Sequence, residues 1–116
     1  MSLTQGPLRV VLFEGKTVII SQPQKVNHYS NLTIYLKGAG TINGGTLLVE
    51  EADFDTTSGA VAWSSVTGDV PIDCTEVSGG AQKAYQLPIG AYSYVRARTG
   101  DAITGGGTIG AVLVCN

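Results

Sequence analysis

The chain has 116 residues, 16 of them glycine, a net charge of −2, and charged residues at only 14%. That length holds one domain with one core. The composition is too apolar and too weakly charged for disorder, and not basic enough for nucleic acid to be held by counterion release. No apolar run approaches the roughly 18 residues of a membrane span.

Met1 to Pro7 carries no basic stretch and no apolar core, so it does not read as a secretion signal. Leu8 to Glu14 and Lys16 to Ser21 are apolar runs broken at Glu14-Gly15-Lys16, which predicts two strands joined by a tight turn. Pro23 ends the second, because proline has no ladder donor. Gln22 to Ser30 is a polar loop. Asn31 to Lys37 alternates, with Leu32, Ile34 and Leu36 on one face and Thr33, Tyr35 and Lys37 on the other. Asn43-Gly44-Gly45 is a hairpin signal, and Thr46 to Asp53 is the next strand. Asp55 to Ala60 is a loop, Val61 to Thr67 is strand-like around Trp63, and Gly68-Asp69 turns the chain. Val70 to Thr75 predicts a short strand, and Ser78 to Ala81 a flexible connection. Ala84 to Leu87 predicts an edge segment, since Pro88 argues against a central position. Tyr92 to Thr99 and Thr108 to Cys115 are the last strands, separated by the turn Thr104-Gly105-Gly106-Gly107.

Short strands at close spacing with no helical periodicity define an all-β chain. The expected fold is a single-domain antiparallel β-sandwich, jelly-roll-like, over 1–116, with 1–7 a candidate extended N-terminal arm. Ile34 to Lys37 followed by Ile42 to Gly45 also lines up, at a constant offset of 61 residues, with Val95 to Arg98 followed by Ile103 to Gly106. This echo predicts two similar hairpins, one in each sheet.

Candidate chemistry is thin. His28 is the single histidine, in a polar loop: it has no second histidine with which to hold a metal, and although it alone could serve a serine triad, no Gly-x-Ser-x-Gly elbow is present. Cys74 and Cys115 match no zinc or redox spacing and are expected to be reduced, buried thiols. Asn31-Leu32-Thr33 is a glycosylation sequon inside a strand-like run, read as chance. Asp53 to Ser64 faintly follows a calcium loop but lacks the sixth-position glycine and the twelfth-position glutamate, and turn hydrogen bonding explains the same letters. Glu50 and Glu51 point to opposite faces of a strand and so form no carboxylate pair with each other. No catalytic residue, metal or cofactor is expected. Trp63 is expected to fill the core rather than to form a sugar platform. Tyr92, Tyr94, Arg96 and Arg98 share one face of one strand. Those residue types are enriched at protein interfaces, which is the preferred reading over a plain exposed face or a ligand platform.

The succession from Ile42 through Asn43-Gly44-Gly45 to Asp53, then Trp63 to Val66, Tyr94 to Arg98, and Ile103 to Thr108 resembles small virion proteins of tailed bacteriophages. The nearest type is the head decoration, or cement, protein of the small β-sandwich kind. Tail, fibre and carbohydrate-binding sandwiches are similar in outline. The resemblance implies a structural subunit, a dimer or trimer, that binds the phage major capsid protein on the capsid exterior and staples the expanded head. It implies assembly in the bacterial cytoplasm, with no catalytic residue and no nucleic-acid or membrane partner. The expected contact residues are Tyr92, Tyr94, Arg96 and Arg98, with Arg9, Leu8 and the segment from Ser2 as an arm toward a neighbour.

Overall fold

The computed structural model describes residues 7–26, 29–52, 63–66, 71–87 and 93–116. The strands are β1 (Leu8–Lys16), β2 (Gln24–Lys25), β3 (Leu32–Ala39), β4 (Thr46–Ala52), β5 (Ser64–Ser65), β6 (Ile72–Asp73), β7 (Gln82–Gln86), β8 (Tyr94–Thr99) and β9 (Thr108–Cys115). The first sheet has the order β1-β9-β3-β7 and the second β2-β8-β4-β5, with β6 also on β4. Every pairing is antiparallel. This is the all-β sandwich that the alternation predicts, and its strand order is that of a jelly roll.

The core lies between the sheets. β3 contributes Leu32, Ile34 and Leu36, and β9 contributes Ile109, Ala111 and Leu113. From the second sheet come Leu47, Val49, Val95 and Ala97. Each set is every second residue of its strand, so one face of each strand is buried by its pleat alone.

The turns differ from expectation. The break at Glu14-Gly15-Lys16 does not reverse the chain. β1 runs through it to Lys16, bulging against β9 after Val11 and after Phe13. The second apolar run then leaves for the other sheet, where Ile20 bridges Arg98 and the Ser21 amide donates to the Ala97 carbonyl at 2.9 Å. Asn43-Gly44-Gly45 is likewise no hairpin. It carries the chain from β3 in the first sheet to β4 in the second. Two strands whose apolar faces must meet across a core cannot lie side by side in one sheet, so the turn becomes an arch.

The echo at 61 residues marks two such arches rather than two hairpins. β3–β4 passes from the first sheet to the second, and β8–β9 passes back. Their corners pair with each other: the Asn43 amide donates to the Thr104 carbonyl at 2.8 Å, and the Thr104 amide to the Gly44 carbonyl at 3.0 Å.

One element is absent from the sequence reading. Cys74–Gly80 is a kinked 3₁₀ segment, where a strand end and a flexible connection were expected. Asp73 caps it, accepting from the Thr75 amide at 3.0 Å and the Thr75 hydroxyl at 2.8 Å. The segment closes one end of the sandwich. It buries Cys74 and Val77, and Ser78 Oγ accepts from the Ile42 amide at 2.9 Å. Gly38 of β3 makes this possible, because a Cβ there would lie 2.0 Å from the Val77 carbonyl oxygen.

Gly38→Ala is therefore expected to cost about 3 kcal/mol, an overpacking penalty. Gly79→Ala is expected to cost about 1 kcal/mol, for left-handed backbone alone, since a Cβ at Gly79 meets nothing within 4 Å. Urea unfolding of the two variants measures the difference.

Candidate functional site

The outer face of the second sheet carries a charged and aromatic cluster. β8 turns Val95, Ala97 and Thr99 inward, where they are buried, and Tyr94, Arg96 and Arg98 outward. The period-two reading of this strand thus holds for those three, and Tyr92 lies outside the described residues. Sheet register places Glu50 of β4 directly across from Arg96. Glu50 Oε1 accepts from Arg96 Nε at 3.0 Å and from Arg98 Nε at 3.1 Å, and Oε2 accepts from Arg98 Nη2 at 3.3 Å. Trp63, just before β5, stacks on Arg96, whose Cζ is 4.1 Å from the ring centroid. Cation–π attraction and the ion pair both hold that guanidinium.

Glu50 is only 7% exposed. Burial alone raises its pKa, but the hydrogen bonds and charges of Arg98 and Arg96 outweigh burial and hold the carboxyl below its usual range. One carboxylate shared by two guanidiniums leaves the cluster with a net positive charge. Its margin is apolar: Ile20, 60% exposed, bridges Arg98, and Val18 is 63% exposed two residues earlier. Leu48 of β4 lies opposite Arg98 on the other side.

Arg9 and Leu8 belong elsewhere. Both lie on β1, an edge of the first sheet. Leu8 turns inward and packs against the core. Arg9 is exposed on the outer face and, with Tyr35, Lys37, Gln82, Thr108 and Val112, lines a shallow groove of about 640 Å³. The sandwich therefore separates Arg9 from the Tyr94–Arg98 face by its full thickness. The arm residues before Pro7 lie outside the described residues, as does His28.

Trp63 corrects an expectation. It is half-buried on the outer face against Arg96 and is not part of the core. The core positions it was expected to fill are taken by aliphatic side chains from facing strands. Glu50, Val18 and Ile20 were not singled out as contact residues. Only the β4–β8 register reveals the partner of Glu50, and only the sheet-crossing after Lys16 reveals the exposed Ile20 beside Arg98. Glu50 and Glu51 do face opposite sides of β4, since Glu50 pairs with the outward Arg96 and Glu51 with the inward Val95. Cys74 and Cys115 are free and buried, with burial pushing each thiol up to about 11, so neither is a ready nucleophile. The calcium-like stretch from Asp53 lies outside the described residues up to Val61-Ala62. Among the described residues no three His, Cys, Asp or Glu side chains gather at a metal-binding distance.

The geometry defines a small all-β sandwich of jelly-roll order with an arginine–tryptophan face. Among solved structures, it is similar to the crystal structure of the SPBc2 prophage-derived protein YomS, with a TM-score of 0.58 and 14% sequence identity. The superposition covers 98% of each chain, so the likeness spans the whole sandwich. No protein-family model matches the chain, and none of the curated proteins does.

Glu50→Gln is expected to destabilise the protein by about 2 kcal/mol at neutral pH, the usual worth of hydrogen bonds to a charged group. The sign of the pH dependence follows from the depressed pKa. The Glu50 contribution is fully present above the unfolded carboxylate range of about 4.3 and is lost as pH falls through the lower folded value. Urea midpoints of the two proteins should therefore converge as pH is lowered below about 4.

Proposed function

We propose that this chain is a structural virion protein of a tailed bacteriophage, and that it binds the outer surface of the capsid, bridging neighbouring major capsid proteins of the expanded head. The observation that carries the reading is the end-to-end likeness to a prophage-derived sandwich, 98% of each chain. The order of strands and turns that resembles head decoration proteins supports the same reading. The contact surface in this proposal is the outer face of the second sheet. Arg98 and Arg96, already held by Glu50 and Trp63, lose little side-chain freedom on docking, and preorganised arginine and tryptophan side chains are typical of binding hot spots. The exposed Ile20 and Val18 add apolar area beside the charge. On a lattice, many copies give high avidity from modest individual contacts.

The half-exposed Trp63 favours a second reading, a tail, fibre or carbohydrate-binding module. Copy number separates the two. In purified virions, a ratio to the major capsid protein near one, or a simple fraction of it, is the expected result. A few copies per particle would favour the tail or fibre reading, and absence from particles would overturn the virion assignment.

Capsid binding tests the face itself. Arg96→Ala with Arg98→Ala should weaken binding to expanded capsids at least tenfold, or about 1.4 kcal/mol. Ile20→Ser removes exposed apolar area and adds no charge beside Arg98, so the Glu50 ion pairs stay in place and a loss of binding there points to the face rather than to folding. Unchanged binding in both variants would place the contact elsewhere.

A further inference from the structure

The sheet edges are not equivalent. β1 breaks regular pairing twice, after Val11 and after Phe13. Such bulges turn an edge away from an incoming strand. β2, β5 and β6 are two residues each, too short to template another strand. β7 differs. It runs five residues, Gln82-Lys83-Ala84-Tyr85-Gln86, in unbroken register on β3, contains no proline, and is exposed at every residue except Tyr85.

Its free hydrogen-bonding groups can be assigned. The Leu87 amide donates to the Leu32 carbonyl at 2.9 Å, and the Gly38 amide to the Ala81 carbonyl at 3.1 Å. Antiparallel ladders alternate, so Lys83 and Tyr85 turn their backbone groups to β3. Gln82, Ala84 and Gln86 turn both N–H and C=O outward, to the open side of the sheet.

We propose that β7 pairs with β7 of a second copy of this chain, antiparallel and centred on Ala84, so that the two first sheets become one continuous sheet. The strand is self-complementary in that register. Ala84 meets Ala84, Gln82 meets Gln86, and Lys83 meets Tyr85. The outward groups of Gln82, Ala84 and Gln86 coincide, and each of those pairs exchanges two backbone hydrogen bonds. No like charges oppose. Lys83, the single charged residue of β7, is paired with Glu76 at 2.6 Å and lies over its own Tyr85 ring at 5.8 Å. A centre on Lys83 or Tyr85 would form only two such pairs, Gln82 with Ala84 or Ala84 with Gln86, against three for the centre on Ala84, and a centre on Lys83 would also set lysine against lysine. The two-fold axis stands normal to the sheet, so both copies present their arginine faces on the same side.

Sedimentation velocity over a wide concentration series tests the pairing, with the whole chain. The wild type should dimerise reversibly. Ala84→Pro should be monomeric with an unchanged unfolding midpoint, because the amide it removes serves no bond to β3 and an edge strand tolerates proline there. Cysteine cross-linking reads the register. Paired Cα atoms lie about 5.5 Å apart, within disulfide range. Ala84→Cys should therefore form a covalent dimer with oxidised glutathione, while Gln82→Cys, which faces Gln86, should not. Should Ala84→Pro fail to fold, Gln82→Lys with Gln86→Lys sets lysine against lysine at both ends and should be monomeric. A wild type that stays monomeric throughout overturns the proposal. So does a dimer that persists in the blocking variants, or cross-linking through Gln82→Cys as readily as through Ala84→Cys.

Discussion

Two apolar faces that must meet across a single core govern this molecule. Each long strand is apolar at every second residue, and the only dry place for those residues is the space between the sheets. β3 is therefore followed by β4 in the opposite sheet, and β8 by β9 in the opposite sheet. The arches that make these crossings hydrogen-bond to each other at Asn43, Gly44 and Thr104. Their pairing ties together the two halves of the chain that echo each other in sequence. The 3₁₀ segment closes the open end by resting its Val77 carbonyl on Gly38, at a distance that no larger residue would allow.

The same constraint decides what is available for function. With the inward residues committed to the core, the chain has only its outward residues to recognise anything. On β8 these are Tyr94, Arg96 and Arg98. The sheet register then brings Glu50 between the two guanidiniums and lays Trp63 over one of them. A carboxylate so occupied, held below its usual pKa, works as a scaffold for the arginines rather than as an acid or base. The cluster thus carries a net positive charge, with the exposed aliphatic Ile20 beside Arg98. The groove around Arg9, Tyr35 and Lys37 faces the other way, so the two surfaces cannot engage one flat partner together.

Local letters at turns were the least dependable signals. Asn43-Gly44-Gly45 has the residues of a tight hairpin, and Glu14-Gly15-Lys16 has those of a reversal, yet neither reverses the chain within a sheet. Glycine permits a bend without saying which sheet the next strand joins. Trp63 shows the same limit for side chains. A lone tryptophan at a strand start has a large apolar area, which argues for the core, and a face that attracts cations, which argues for Arg96. The choice depended on a strand more than thirty residues away.

Alternation by itself determined the all-β class, the inward and outward faces of β3, β8 and β9, and the common face of Tyr94, Arg96 and Arg98, because a pleated strand turns successive side chains to opposite sides whatever it pairs with. Pro88 likewise marked the edge position of the strand before it, which β7 occupies. The tertiary structure alone decided which strands are neighbours, which turns are arches, that Glu50 joins the two arginines, and that Ile20 lies beside Arg98. These are outcomes of long-range register, and register is set by how two distant apolar faces close on each other, which no short stretch of the chain encodes.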